Sequence, residues 1–269
     1  MRLPKRHWQE MTSADFAAGD VASWIAVLPV SAVEQHGPHL PLATDRLIGE
    51  GLLREALLTM PASLPITVLP MQAIGKSNEH SASPGTLTFN WQTVIAAWIE
   101  IGEAVHRAGL RKLILINSHG GNGALLDIVA QELRVRFSML AVAVSWMRFG
   151  VGETGFDEDE RAHGIHGGDI ETSLMLHFHP DLVRLSEMRN FDSAQRQFKK
   201  DFKHLRAHGP ISFGWLAQDL NPSGAIGNAA IATAAKGQAL AAFQAGAFVE
   251  LCADVDQFDP ARLWNVVAD

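Results

Sequence analysis

Short apolar runs alternate with longer segments of helical periodicity through the first half of the chain, and this alternation constrains the fold more than any other feature. The four runs are residues 24–30, 66–71, 112–117 and 140–146. Each is nearly continuously apolar, which is typical of strands that are buried on both faces of a sheet. Strands that alternate with helices form βαβ units, so we predict a mainly parallel sheet with helices on both faces.

Four longer segments are predicted to be helices, the first three from their helical spacing of apolar residues and the last from its alanine-rich composition. They are residues 45–60, 90–109, 123–137 and 232–258. In the second segment we expect Gly109 to follow the last turn, because glycine readily adopts the left-handed conformation found there. In the third segment we expect the core-facing residues to be Leu126, Ile128, Val129 and Leu133.

The 269 residues contain no linker, internal repeat or low-complexity tract, so we predict a single α/β domain that spans residues 1–269. Ligands of such sheets bind beyond the carboxyl ends of the strands. The residues that follow strands are therefore the candidates for function. Segments 147–165 and 189–225 are rich in Gly, Asp, His and Pro, and we expect them to be loops over the site.

Charge and composition argue against several classes of partner. A net charge of −7 disfavours nucleic acid and anionic membranes. No apolar stretch reaches the roughly 18–20 residues needed to cross a bilayer, and the N-terminal segment has no apolar signal-peptide core. The single cysteine, Cys252, fits a reducing compartment, so we expect a cytoplasmic protein. The expected partner is a small-molecule substrate.

The segment "EQHGPHLPLATD", residues 34–45, follows the first predicted strand and concentrates groups that bind metals. Glu34 and His36 are two residues apart, so they point the same way from an extended chain. The glycine and prolines that follow predict a turn that returns Asp45 to them. Carboxylate and imidazole suit Zn²⁺, Mn²⁺ or Fe²⁺, and a bridging aspartate commonly holds two such ions. The alternative is a surface loop in which Asp45 caps the next helix. We expect His39 to be structural.

The segment "SHGGNG", residues 118–123, follows the third predicted strand. Its glycines allow a ligand to approach the backbone while His119 points outward, so His119 is a candidate metal ligand that faces the Glu34 loop. A phosphate-binding turn at a helix N-terminus is an alternative, although the segment matches neither common phosphate-loop pattern. A structural histidine is the other alternative.

Two further segments contain polar residues suited to catalysis or substrate binding. In "GIHGGDIETSLML", residues 164–176, His166 and Glu171 flank a glycine turn, which fits an acid–base histidine beside a carboxylate ligand. The alternative explanation for Asp169 and Glu171 is that acidic residues favour a helix N-terminus. In "GKSNEHSASPGT", residues 75–86, Ser77 and His80 are suited to substrate hydrogen bonding.

Other catalytic classes are disfavoured. The chain has twelve histidines but no tyrosine, which excludes phenolic acid–base catalysis. It has no GxSxG motif, and Cys252 lies in an alanine-rich predicted helix, which disfavours covalent serine or cysteine hydrolysis. An activated metal-bound water is the more economical nucleophile.

Taken in order, these segments resemble the creatininase (creatinine amidohydrolase) family. The match rests on "EQHGPHLPLATD", "GKSNEHSASPGT", "NSHGGNG", "HGGDIETSLMLHFHPDLV" and "DLNPSGAIGNAAIATAAKGQ", which together extend from residue 34 to about residue 238. The resemblance implies a three-layer α/β/α sandwich and a centre of two divalent metal ions (Zn, Mn or Fe). It also implies a homo-oligomer, often a hexamer, that hydrolyses cyclic or linear amides.

The resemblance also implies roles for particular residues. The matching metal ligands are Glu34, His36, Asp45 and His119, with Asp45 as the bridge between the ions. Ser77 matches a serine that contacts substrate, and His166 matches the histidine beside the reacting amide. Trp146 falls near an aromatic position of the substrate pocket.

Departures from the family pattern point to a branch other than true creatininase. Creatininase has a tyrosine and then a glutamate ligand where this chain has Gly120 and Gly121. It has a glutamate, a proton donor, where this chain has Ile165. We expect Glu171 to replace the ligand that is missing at position 121.

Together these observations predict a metal-dependent hydrolase of a C–N bond in a small polar amide, cyclic amide or formamide. A metal-bridging hydroxide is the expected nucleophile, and His166 is expected to carry the proton to the leaving nitrogen. Hydrolysis of a lactone or a C–C bond in a sugar-derived ring is one alternative. A non-catalytic protein that binds metal or ligand is the other.

Overall fold

A four-stranded parallel sheet forms the centre of the protein in the computed structural model, which describes residues 3–263. In chain order the strands are β1 (Ile25–Val30), β2 (Ile66–Val68), β3 (Lys112–Asn117) and β4 (Leu140–Ser145). Their order in the sheet is β2-β1-β3-β4. Ile25 pairs with Ile66 on one side and with Lys112 on the other, and Lys112 pairs with Leu140.

Helices connect and cover these strands. Their bounds are α1 (Ser13–Ala18), α2 (Thr44–Thr59), α3 (Trp91–Arg107), α4 (Gly123–Phe137), α5 (Glu158–His163), α6 (Asp169–Phe178), α7 (Gln195–Asp201), α8 (Ala217–Leu220) and α9 (Ala234–Gln257). A short antiparallel pair, β5 (Asn190–Phe191) and β6 (Gly227–Asn228), lies in the loop-rich region before α9. Among the described residues, no helix is both long enough and apolar enough to cross a membrane.

Alternate residues of each central strand face opposite helical layers. In β1, Ile25 and Val27 are fully buried in the core formed with α2, α6 and α9. Ala26 and Leu28 are equally buried in the core formed with α3 and α4. Helices thus cover both faces of the sheet, and the predicted α/β/α sandwich with a parallel sheet is confirmed.

Segments 147–165 and 189–225 were predicted to be loops, but they also contain the short helices α5, α7 and α8. The predicted strands and helices match with two exceptions of detail. The second apolar run is a strand only over three residues, and β4 is half-buried because it lies at the sheet edge. Gly109 follows α3 with a φ of +105°, as predicted.

The inward orientation predicted for Ile128 is wrong, since this side chain is 46% exposed. The buried residues of α4 are Leu125, Leu126, Val129 and Leu133. At about 100° per residue they cover an arc of about 100°, and Ile128 lies roughly 60° outside that arc.

Candidate metal centre

The loop after β1 folds back on itself, so that its first and last residues meet. The Glu34 N–H donates to Leu42 O at 2.9 Å, and Gly37 makes the turn with a φ of +70°. Helix α2 begins at Thr44, so Asp45 lies within its first turn and does not occupy the capping position. Glu34, His36 and Asp45 are at most 2% exposed, which excludes the alternative of a solvated loop.

His36 directs an imidazole lone pair at two carboxylates. Its Nδ1 lies 3.1 Å from the backbone oxygen of Glu34, and because a carbonyl can only accept, Nδ1 carries the proton. In the neutral ring, which is the form that binds a metal, Nε2 then bears the lone pair. This atom lies 3.3 Å from Asp45 Oδ1 and 3.8 Å from Glu171 Oε2.

His119 repeats this arrangement from the end of β3. Its Nε2 donates to the backbone oxygen of Lys76 at 2.9 Å, which leaves the lone pair on Nδ1. That atom lies 3.2 Å from Glu34 Oε1 and 3.1 Å from Asp45 Oδ2. A histidine that donates one ring N–H to a carbonyl has the orientation typical of a metal ligand.

Two amide side chains fix the backbone around His119. The Oδ1 atom of Asn117, the last residue of β3, accepts the His119 N–H at 3.1 Å. Asn122 accepts the Lys76 N–H at 3.0 Å and donates to Ser31 O at 3.1 Å. The loop after β3 is thereby tied to the loops after β1 and β2, which explains how Lys76 O comes to face the imidazole.

The ligand atoms form overlapping groups of three that share Asp45. Glu34, Asp45 and His119 form one group, and His36, Asp45 and Glu171 form another, each with its atoms within 4.8 Å of one another. Within the described chain, Glu34 Oε1, His36 Nε2 and Asp45 Oδ2 are buried and lack a hydrogen-bond partner. Burying such atoms without a partner is costly, whereas a bound cation would satisfy all three. The donor set therefore fits a bound metal ion.

Charges within the cluster outweigh the effect of burial on its pKa values. Burial disfavours the protonated imidazole of His36, yet the negative charge of Asp45, with Glu171 and Glu34, raises the pKa of His36 to about 9. Burial likewise opposes protonation of His119, but Glu34 and Asp45 hold the pKa of His119 well above its usual range. Burial would raise the pKa of Asp45, but His36 and His119 lower it overall. The carboxylates of the cluster therefore stabilise positive charge beside them.

His166 lies between two other imidazoles at the edge of the cluster. Its ring centroid is 4.1 Å from that of His36 and 4.2 Å from that of His80. Its Nε2 donates to Gln35 O at 2.5 Å, and its Nδ1 lies 3.7 Å from Glu34 Oε1. Burial and the neighbouring His36 lower the pKa of His166. His166 also forms a possible ligand group with Glu34 and His36.

Ser77 is fully buried, and its hydroxyl donates to Glu34 Oε2. The structure thus brings Ser77 into contact with a candidate ligand, and its contact with substrate stays a prediction. His80 lies on the other side of Glu34, with its Nε2 3.4 Å from Glu34 Oε1.

A cavity of about 440 Å³ opens onto the cluster. Its wall includes His119, His166 and Glu171 at the polar end, and Trp146, which is 3% exposed. The remaining wall is largely apolar. Both segments that were expected to lie over the site contribute to the wall. The second contributes His208, and the first contributes Met147, Gly150, Val151, Glu160, Arg161, Gly164 and Ile165.

No motif in the sequence pointed to Glu160, whose buried carboxylate holds the loop that bears His166. Its two oxygens accept the backbone N–H groups of Asp169 at 2.7 Å and Asn228 at 2.9 Å. Burial raises the pKa of Glu160. The only available hint is the set of glycines at 164, 168 and 227, where any Cβ would collide with this carboxylate.

Comparisons with known proteins agree with this architecture. The family model described as creatinine amidohydrolase matches residues 9–252. A mycofactocin precursor peptide peptidase of Mycolicibacterium smegmatis is 29% identical over 88% of this chain and 87% of its own length. A creatinine amidohydrolase of Pseudomonas putida is 30% identical over 67% of this chain and 73% of its own. A solved manganese creatininase has the same fold, with a TM-score of 0.71, 23% identity and coverage of 93% of this chain and 98% of its own.

The fold, the family match and a buried group of carboxylates and imidazoles that can hold metal define the class of protein, which is the metal-dependent amidohydrolases. Within that class, the chain belongs to the creatininase family.

Proposed function

We propose that this protein hydrolyses a C–N bond in a small polar substrate, which is an amide, a cyclic amide or a formamide. The observation that carries the proposal is the orientation of His36 and His119. Each donates one ring N–H to a backbone carbonyl, so that its other ring nitrogen faces buried carboxylates. Lone pairs and carboxylates repel one another unless a cation lies between them.

The residues fit two divalent ions. Glu34, Asp45 and His119 would hold one, and His36, Asp45 and Glu171 would hold the other. Zn, Mn and Fe all suit this mixture of oxygen and nitrogen ligands. When bound, such ions polarise a carbonyl and lower the pKa of water.

His166 is placed to move a proton at its Nδ1 atom. Because Nε2 donates to Gln35 O, Nδ1 is the ring nitrogen left to accept a proton and to donate it to the leaving nitrogen. The rings of His36 and His80 on either side prevent His166 from rotating. Its lowered pKa favours the neutral form, which is the form that can accept a proton.

The cavity provides the remaining requirements for hydrolysis. Its volume is within the range of small-molecule sites. Its apolar wall, which includes Trp146, limits the water that reaches the cluster. The Ser77 hydroxyl donates a hydrogen bond to the Glu34 carboxylate and so holds it in place. Assembly into a homo-oligomer, with a hexamer as one form, and a cytoplasmic location stay predictions.

A substrate screen with defined metal content tests the function. Purified protein is stripped with EDTA, reloaded with Zn, Mn or Fe, and assayed on simple amides, cyclic amides, formamides and lactones. We expect turnover of a C–N substrate that EDTA abolishes and metal restores. His166→Ala should lose turnover but keep its metal. The control is His177→Ala, at a histidine in helix α6 whose side chain pairs with Glu55, and it should lose neither.

Each contrary outcome points to a stated alternative. Turnover of lactones without amides would replace the proposal by hydrolysis of a sugar-derived ring. Metal binding without turnover on any substrate would favour a non-catalytic binding protein.

A further inference from the structure

One side chain in the wall of the cavity is positively charged and pairs with no carboxylate in the part of the chain that the structure describes. Arg161, in helix α5, is the only arginine or lysine among the described residues that line it. The side chain is exposed and forms no ion pair with any carboxylate in residues 3–263. Its one hydrogen bond is a long contact of 3.4 Å from Nε to Asp157 O. By contrast, Arg196 is paired with both Asp159 and Asp192.

The carboxylates in the cavity wall are already committed elsewhere. Both oxygens of Glu160 accept backbone N–H groups. Glu171 Oε2 accepts the Gly167 N–H at 2.5 Å and lies beside His36 in the candidate metal centre. Arg161 therefore presents an uncompensated positive charge to whatever fills the cavity.

The side-chain amide of the wall and the backbone donors beside it are already used within the protein. The Gln244 amide donates to Gly150 O at 3.0 Å. The backbone N–H groups of Gly167 and Asp169, at the start of α6, are taken by Glu171 and Glu160. A phosphate dianion needs several free donors, whereas one guanidinium matches a carboxylate with two parallel hydrogen bonds.

We propose that the substrate carries a carboxylate, which Arg161 binds while the scissile amide faces His166. The substrate class is therefore an amide with a free carboxylate, such as an N-acyl amino acid or a short peptide with a free C-terminus. The apolar wall, with Trp146 and Ile170, accommodates the body of such a molecule between these two ends. This proposal rests on the proposed hydrolysis for the position of the amide.

Matched pairs of ligands test the role of Arg161. N-acetyl dipeptides that end in a free carboxylate are compared with the same peptides that end in a carboxamide, using metal-loaded protein. We expect wild type to prefer the free acid by roughly tenfold in kcat/KM, the low end for a charged hydrogen bond because Arg161 is exposed. Arg161→Gln should abolish this preference by lowering kcat/KM for the free-acid peptides alone. Arg161→Lys should restore part of the preference. Arg148→Gln, at an exposed arginine that does not line the cavity, should behave as wild type.

Calorimetric titration of the same peptides separates the two proposals. If no peptide is hydrolysed but the acid binds more tightly than the amide, and Arg161→Gln removes the difference, then recognition of the carboxylate holds and hydrolysis of peptides fails. Equal binding and equal kcat/KM for acid and amide, or a preference that survives in Arg161→Gln, would overturn the assignment of Arg161.

Discussion

The carboxylate of Glu79 occupies the space that a side chain on Gly121 would need. A Cβ at Gly121 would overlap Glu79 Oε1 and the His119 ring. The same oxygen lies 3.6 Å from His119 Nε2, and Lys76 Nζ holds the other oxygen at 2.6 Å. The position from which the expected ligand is absent is therefore filled by a carboxylate from another loop, on the side of His119 that faces away from the cluster.

Gly121→Ala should destabilise the protein by about 1–3 kcal/mol, because the added methyl group forces Glu79 and His119 to move. Chemical unfolding measures the loss, and metal analysis reports the displaced His119. Gly120→Ala is the matched control, since a Cβ there meets no described atom within 4 Å. The double variant with Glu79→Ala should recover part of the loss. Equal stability of Gly121→Ala and Gly120→Ala would contradict this packing.

Glu171→Gln should selectively remove the ion held by His36, Asp45 and Glu171, because the neutral amide is a poorer ligand. We expect that ion to bind at least roughly tenfold more weakly, with a parallel loss of turnover. Elemental analysis after dialysis measures occupancy, and Glu55→Gln, whose partner is His177, serves as the control. The role of Glu171 fails if the substitution leaves both occupancy and turnover unchanged.

His39 should make the protein less stable in acid. Its Nε2 lies 3.0 Å from Gly167 O, its ring stacks on Phe191, and burial lowers its pKa to about 4. Between this value and the ordinary 6.5, the unfolded chain binds more protons than the folded chain, so stability falls as the pH falls through this range. By pH 4 the loss reaches about 3 kcal/mol.

Urea unfolding of wild type and His39→Gln from pH 7 to pH 4 measures this contribution. We expect the variant to be less stable than wild type at pH 7 but to lose less stability on acidification. Parallel curves for the two proteins would show that His39 does not titrate as stated.

Glu160→Ala should destabilise the protein by roughly 1–3 kcal/mol, because it leaves the N–H groups of Asp169 and Asn228 without their acceptor. Loosening this loop should also lower kcat more than it changes metal content, since His166 is on the loop and the principal ligands are not. Unfolding curves, kinetics and elemental analysis test these effects together. Glu158→Ala, at an exposed glutamate of the same helix, is the control, and a similar loss in both variants would refute the role of Glu160.

The sequence was most informative where function depends on position along the chain. Glu34, His36 and His119 follow strands of a parallel sheet, and the carboxyl ends of such strands converge whatever the details of packing. Glu160 was missed because it lies in the acidic stretch "EDERAH", which resembles a solvated helix, and only its tertiary contacts reveal it. The place of Glu79 was missed for the same reason, since its contact with Gly121 joins two loops 42 residues apart. Ile128 was misplaced because several apolar residues on α4 compete for one buried face.

The carbonyls that orient the histidines have a consequence for how this protein can diversify. The N–H groups of His36, His119 and His166 are received by the main chain of Glu34, Lys76 and Gln35. The backbone therefore sets the angle of each ring, and side chains that only line the cavity do not. Selection can exchange wall residues that do not support the histidines, such as Arg161, and so change the molecule that is accepted without changing the chemistry of the cluster.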